Sequence, residues 1–216
     1  METITKKYRL LENDTRTVNG KTLYRVEAIK DFAGVKKGHK GGYIESEKNL
    51  SQRGNCWVYE DACVFEDAWV YGAARVFGAA RVYEAARIYE NARVCEAARV
   101  FGAARICGDA WVYGAACVSE NACVYGDARV YGKAWVYGNA RIRGTADYYV
   151  GKNVWSSGRY FTYTRSNKMW KVGCFYGTGE ELIAKAYRDS EVSGREYERV
   201  VKYVEAMYAD LEKDKE

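Results

Sequence analysis

The sequence predicts a mainly β protein whose central part is a parallel β-helix. Val or Ile recurs at every sixth position from Val58 to Ile142, through 15 repeats without an insertion. Ala stands two positions before each of them, except at Cys56. The repeats begin and end abruptly, which divides the chain into three segments. We expect a β cap with an irregular first coil over residues 1–55, the β-helix over 56–147, and a hairpin with two helices over 148–216.

The repeat restricts the shape of the coil. Successive strand residues point to opposite faces, which places Ala and Val or Ile inside and Arg, Trp or Cys, with Tyr or Phe, outside. Small inner residues demand a narrow core, which a triangular coil of three short strands provides. Gly or Glu follows each strand and forms the corner. The 15 hexads then form five coils, and at the usual strand spacing the rod is about 24 Å tall.

The first segment contains the signals of a β-hairpin. Residues 7–11 alternate as a strand does, and Asn19-Gly20 is a turn pair between two further β-prone runs. Residues 41–52 lead directly into the regular repeats. We expect the hairpin to cap the solenoid and residues 41–52 to form an irregular starting coil.

The last segment predicts a hairpin followed by two helices. Residues 159–164 and 169–176 alternate on either side of a polar turn, and this alternation places Cys174 in the core. Thr178 opens a capping-box sequence that starts a helix ending near residue 188, and a second helix should span about 194–211. The apolar stripe of the second helix either packs on the hairpin or pairs with a second subunit in a homodimer. It consists of Tyr197, Val200, Val201, Val204, Tyr208 and Leu211.

The hexads of residues 56–147 resemble the hexapeptide-repeat family of left-handed β-helices. The left-handed sense of coiling is implied by this resemblance. Nearly the whole chain is similar to small hexapeptide-repeat proteins that phages and prophages encode, which implies a viral origin but no particular activity. Besides the hexads, the matching segments are 41–45, 49–52, 164–166 and 173–178.

Many hexapeptide-repeat proteins are acyltransferases, so the resemblance makes an acyl-CoA-dependent acyltransferase one alternative. Members of that family typically use a histidine near a loop that leaves the coil, and they bind acyl-CoA between trimer subunits. Here no insertion interrupts the hexads, and the single histidine, His39, lies in a lysine-rich run without an evident orienting carboxylate. We therefore expect no catalytic residue and no cofactor. The seven cysteines lack the spacing of a zinc site, so we also expect no metal.

Stacking of the coils aligns outward side chains in ladders. Two coils carry an arginine on each of their three faces, beside outward Tyr and Phe. Arginine next to aromatic rings is the chemistry that holds phosphates and stacks bases, although corner glutamates of the same coils could neutralise the charge. These candidate ligands of an anion are Arg75, Arg81, Arg87, Arg93, Arg99 and Arg105.

The later coils replace several of these arginines with Trp or Cys and therefore present a more apolar surface. Exposed aromatic patches mark protein contacts, and Trp and Tyr are frequent anchors of interfaces. We expect a partner-binding surface here, formed by Trp111, Cys117, Trp135, Tyr113, Tyr131 and Tyr137.

Charge and composition complete the functional expectation. The net charge of +5 comes from residues 1–55, which hold 12 Lys and Arg against 7 Asp and Glu. The N-terminus lacks the apolar core of a signal peptide, and no long apolar run predicts a membrane span, so we expect a location in the host cytoplasm.

The hypothesis is a non-enzymatic, phage-type binding protein that inhibits a host defence component, either a protein or a nuclease complex. The alternatives are acyl transfer and the sequestration of an anionic nucleotide signal at a subunit interface.

Overall fold

The computed structural model describes residues 5–213 and confirms a mainly β protein around a parallel β-solenoid of about 6 turns. The N-terminal hairpin consists of β1 (Tyr8–Val18) and β2 (Lys21–Ala28), joined at Asn19-Gly20 with both residues at positive φ. β3 (Lys40–Ile44) pairs antiparallel with β2 and parallel with the solenoid. A bridge between Leu50 and Val70 completes an irregular turn below the regular coils, as the sequence predicts.

Fifteen two-residue strands form the three faces of the solenoid, which we call faces A, B and C. Face A contains β4 (Trp57–Val58), β7 (Arg75–Val76), β10 (Arg93–Val94), β13 (Trp111–Val112) and β16 (Arg129–Val130). Face B contains β5 (Cys63–Val64), β8 (Arg81–Val82), β11 (Arg99–Val100), β14 (Cys117–Val118) and β17 (Trp135–Val136). Face C contains β6 (Trp69–Val70), β9 (Arg87–Ile88), β12 (Arg105–Ile106), β15 (Cys123–Val124) and β18 (Arg141–Ile142).

The hexad forms this coil because its inner positions fill the core and its corner position allows the chain to turn. The Ala and Val or Ile positions are buried and form one continuous core along the axis. Each corner needs a residue at positive φ, which glycine adopts at no steric cost; Gly102 has φ +70°. Glutamate takes the same conformation at other corners, as at Glu84 with φ +57°. Its carboxylate accepts the amide of Gly102 one coil later at 2.8 Å, which offsets the strain.

The C-terminal segment is an antiparallel sheet covered by two helices. The sheet order is β19 (Tyr148–Lys152), β20 (Tyr160–Thr164), β21 (Met169–Val172) and β22 (Phe175–Gly177). The helices are α1 (Gly179–Asp189), which Thr178 caps as predicted, and α2 (Glu191–Lys213). Most of the apolar stripe of α2 packs on the sheet, with Val201, Val204 and Tyr208 buried against Trp170 and its neighbours. Leu211, the last residue of the predicted stripe, is exposed and does not join this core.

One detail of the predicted hairpin is wrong. Residues 169–176 form two strands, not one, because Gly173 adopts φ +55° and reverses the chain. Cys174 therefore lies exposed on a turn and not in the core. α2 also begins before and ends beyond the expected 194–211.

Within residues 5–213, no helix combines the length and the apolar composition that crossing a membrane requires.

Candidate binding surfaces

The hydrogen bonds between coils give the solenoid two chemically different ends. We call the end nearest the N-terminus the lower end. Next to and between the strands, an amide of the lower coil donates to a carbonyl of the coil above, as from Trp57 N to Ala74 O (3.1 Å) and from Arg99 N to Ala116 O (2.9 Å). The lower end therefore presents carbonyl oxygens at these positions, and the upper end presents amides.

Donor side chains cover the carbonyls of the lower end. The ammonium of Lys7 donates to the carbonyl of Cys56 at 2.9 Å, and the amide of Asn49 donates to Glu66 and Ala68, each at 2.9 Å. Lys7 is only 1% exposed, and burial lowers its pKa below the usual range. Part of the basic excess of residues 1–55 thus serves the fold.

Acceptor side chains cover the amides of the upper end. Three side-chain oxygens of the C-terminal segment accept hydrogen bonds from amides that would otherwise donate to a further coil. The pairs are Trp135 N with Thr162 Oγ1 (2.9 Å), Arg141 N with Ser166 Oγ (2.7 Å) and Arg143 N with Asp147 Oδ2 (2.7 Å).

The six candidate arginines stack in pairs, as predicted. The partners in register are Arg75 with Arg93, Arg81 with Arg99, and Arg87 with Arg105. All six are exposed, and none forms an ion pair with another residue of 5–213. Corner carboxylates that could have neutralised them, such as those of Glu84 and Glu90, accept backbone amides. The three pairs lie on three different faces, so one subunit does not bring them together around one ligand.

Two of the tryptophans that replace arginine fill gaps in the outer rows of aromatic side chains. Cys95 and Ser119 occupy positions that hold Tyr or Phe in most hexads. Trp111 Nε1 donates to Cys95 Sγ at 3.1 Å, and Trp135 Nε1 donates to Ser119 Oγ at 3.2 Å. These departures from the dominant arginine therefore have a structural role inside the chain.

The expected partner surface is divided between two faces. On face B, the chain's own C-terminal sheet covers Cys117, Trp135 and Tyr137. The ammonium of Lys171 lies 4.2 Å from the ring centre of Trp135 and 4.6 Å from that of Tyr137. Tyr176 meets Tyr137 edge-on at 4.8 Å. Cys117 is 4% exposed, and burial raises its pKa to about 11, which leaves a protonated, unreactive thiol.

On face A, the rest of that surface stays open. The indole of Trp111 lies between two guanidinium groups, with Arg93 at 5.6 Å and Arg129 at 5.9 Å from its ring centre. Beside it, Tyr113 and Tyr131 stack on each other with their ring centres 5.4 Å apart, and Tyr131 is 49% exposed. We call these five residues the face A patch.

Further cations at the upper end of face C were not anticipated from the sequence. Arg141 and Arg143 end the last hexad, and Arg165 and Lys168 approach them from the turn after β20. One signal was available, because Arg143 occupies a position that is mostly Tyr or Phe in the repeats. The approach of residues 165–168 has no counterpart in the periodicity.

No arrangement typical of acyl transfer surrounds His39. It is exposed and meets the ring of Tyr59 edge-on at 6.3 Å, and within the described part of the chain it has no carboxylate partner. Among the same residues, no three His, Cys, Asp or Glu side chains come close enough to hold a metal ion.

Comparison with known proteins supports the repeat architecture. A family model described as the YdcK beta solenoid repeat matches residues 122–138. The chain is also 36% identical over 66 residues to the uncharacterized acetyltransferase YdcK of Escherichia coli strain K12. That alignment covers 27% of this chain and 20% of the relative, so the shared part is about a fifth of the relative's length.

Proposed function

We propose that the protein is a non-enzymatic binding protein that holds a macromolecular partner on the face A patch. The observation that supports this most directly is the open stack of Arg93, Trp111 and Arg129 beside two stacked tyrosines. Trp, Tyr and Arg are the residues that dominate binding energy at protein interfaces. The solenoid holds them on a rigid frame, which lowers the entropy lost on binding.

The charge of the patch indicates the chemistry of the partner. Arg93 and Arg129 have no ion-pair partner within residues 5–213, and the neighbouring Arg75 adds a third positive charge. A protein surface that combines carboxylates with an apolar pocket would pair these guanidiniums and bury the tyrosines. We therefore propose an acidic protein surface as the partner.

The resemblance to phage-encoded repeat proteins extends the proposal to the partner's identity. In this extension the acidic surface belongs to a component of the host's defence against phage, a protein or a nuclease complex, and binding inhibits it. A rod that blocks a surface needs no catalytic group, which fits the uninterrupted hexads.

Charge reversal tests the face A proposal. The double variant Arg93→Glu, Arg129→Glu should weaken the purified complex by roughly a hundredfold, since each interfacial charge contact is worth about 1.5 kcal/mol or more. The matched control is Arg195→Glu, which reverses an exposed charge near the start of α2, where a carboxylate suits the helix dipole. Once the partner has been captured on the wild-type protein and purified, titration calorimetry compares its affinity for the three proteins. Equal affinity of the double variant and the wild type would exclude the face A patch as the binding site.

Acetyl transfer is a second candidate, favoured by the name of the Escherichia coli relative. If the chain transfers an acetyl group with His39 as the base, His39→Ala should abolish turnover of acetyl-CoA while circular dichroism stays unchanged. We expect instead no turnover by either protein. Turnover by the wild type that His39→Ala removes would establish the enzyme and refute the binding-only proposal.

Sequestration of a nucleotide signal between subunits is a third candidate. It is favoured by the stacked arginine pairs, because a second subunit could bring two pairs onto one ligand. The molar mass in solution, with the absorbance ratio at 260 and 280 nm, tests it directly. A monomer without bound nucleotide would exclude this candidate.

A further inference from the structure

The upper end of face C contains a cleft that the repeats alone do not create. It lies where the last hexads meet the turn after β20 and the end of α2, and its volume is about 430 Å³. This volume falls in the range of small-ligand sites. The lining residues are Tyr125, Arg141, Arg143, Asp147, Arg165, Ser166, Lys168 and Glu212. We call it the upper cleft.

The upper cleft has an excess of positive charge. Four of its residues are cations and two are acids. Glu212 lies between Arg165 (3.6 Å) and Lys168 (3.9 Å), and this single carboxylate does not neutralise both. Arg141 and Arg143 are exposed and have no ion-pair partner within residues 5–213.

The second acid is already engaged by the backbone. Asp147 Oδ2 accepts the amides of Arg143 (2.7 Å) and Gly144 (2.9 Å). Ser166 accepts the amide of Arg141 in the same way. Because these amides already have acceptors, the positive charge of the cleft comes from its side chains, in which four cations outnumber two acids.

An aromatic ring lies beside these charges. Tyr125 is half-buried in the wall of the cleft, one coil below Arg143 in the same outer row. Its amide donates to Ile142 O at 2.9 Å, which holds its backbone against the last strand. A planar base can stack on such a ring while guanidinium groups bind the adjoining phosphate.

We propose that the upper cleft is a nucleotide-binding site. Arg141, Arg143 and Lys168 bind the phosphate of a nucleoside monophosphate, and Tyr125 stacks on its base. Arg165, whose side chain is only 16% exposed, positions the turn that carries Ser166 and Lys168. The site lies on another face than the face A patch, so it goes beyond the proposed function and does not depend on it.

Calorimetric titration with defined probes tests the site. Adenosine monophosphate should bind at low salt, inorganic phosphate should bind more weakly, and adenosine should not bind. The double variant Arg141→Gln, Arg143→Gln should lose roughly tenfold or more in affinity for the nucleotide, since a hydrogen bond to a charged group is worth about that factor. Tyr125→Leu should weaken the nucleotide but leave inorganic phosphate unchanged.

A control variant and a second probe test whether the binding is specific to the upper cleft. Arg195→Gln, an exposed guanidinium outside the cleft, should bind as the wild type does, and thermal melting should show that all variants fold. A short single-stranded oligothymidylate tests whether the same site binds a nucleotide that is part of a strand. If it competes with adenosine monophosphate and loses affinity in the same variants, the site takes a nucleotide within a strand. No binding of either probe, or equal loss in Arg195→Gln, would overturn the proposal.

Discussion

At the residue scale, single outward side chains determine which parts of the rod stay accessible. Trp111 and Trp135 occupy equivalent hexad positions and make equivalent indole hydrogen bonds, yet they differ in what lies above them. Lys171 covers Trp135, whereas the neighbours of Trp111 along its ladder are the guanidiniums of Arg93 and Arg129. The same residue type therefore closes one face and leaves another open.

The burial of Cys117 predicts a pH dependence of stability. Its pKa is raised from 9.0 to about 11 by burial, so the folded chain keeps this proton after the unfolded chain has lost it. The resulting stability is complete below pH 9 and is lost as the pH rises through 11. The wild type should lose on the order of 2 kcal/mol more than Cys117→Ala over this window.

Urea unfolding in reductant at pH 8 and at pH 10.5 measures this difference. Buried tyrosines also titrate in the alkaline range, so the comparison must be between variants and not between pH values alone. Cys174→Ala is the matched control, because that thiol is exposed. If the free energy of unfolding falls by the same amount between pH 8 and pH 10.5 in Cys117→Ala and Cys174→Ala, Cys117 is not as deeply buried as the structure indicates.

At the element scale, the corners hold the coils in register. Gly102 and Gly132 have similar φ, +70° and +67°, but they differ in their surroundings. A Cβ at Gly102 would lie 2.6 Å from Glu120 N, while one at Gly132 would meet nothing within 4 Å. The stacking of corner on corner therefore adds a steric restriction to the conformational one.

Substitutions at these two corners should separate the two effects. Gly132→Ala carries only the cost of positive φ, about 1–2 kcal/mol, and Gly102→Ala should lose more. Gly102→Glu should recover about 1 kcal/mol relative to Gly102→Ala, since its carboxylate can accept the amide of Glu120 as Glu84 accepts that of Gly102. Thermal melting ranks the three variants. An equal melting temperature for the two alanine variants would contradict the stacking argument.

The sequence predicts most elements because their signals are local. A period of six identifies the inner residues from Val58 to Ile142, and an Asn-Gly pair and a capping box mark the hairpin and α1. The covering of Cys117 and Trp135 by the C-terminal sheet depends on contacts between distant segments, which leave no periodic trace. The turn at Gly173 was missed because its neighbours continue to alternate.

At the scale of the whole molecule, the two caps complement the two ends of the solenoid. The lower cap supplies ammonium and amide donors, and the upper cap supplies mostly hydroxyl and carboxylate acceptors. The upper cap also supplies one donor, the hydroxyl of Tyr148, which donates to Arg129 O at 3.0 Å. This division follows from the shared direction of the inter-coil hydrogen bonds, since a bare carbonyl needs a donor and a bare amide needs an acceptor. The caps are therefore not interchangeable.

Removal of one capping hydroxyl should measure this complementarity. Thr162 is 2% exposed and accepts the amide of Trp135 at 2.9 Å. Thr162→Val keeps the shape but leaves that amide unsatisfied, and it should lower the free energy of unfolding by about 1–3 kcal/mol. Thr15→Val, at an exposed position of β1, is the control for the same exchange and should be close to neutral. Chemical denaturation that shows the same small effect in both variants would refute the capping role.

The opposite polarity of the two ends also governs how such rods could join. A bare lower edge matches a bare upper edge in the way that two successive coils match, because the amides that flank the strands of one coil donate to the carbonyls of the next. A chain stripped of both caps would carry matching edges on one body and would add copies head to tail, which does not close and produces a fibre. Each cap covers one of these two edges, so either cap is enough to stop this head-to-tail growth.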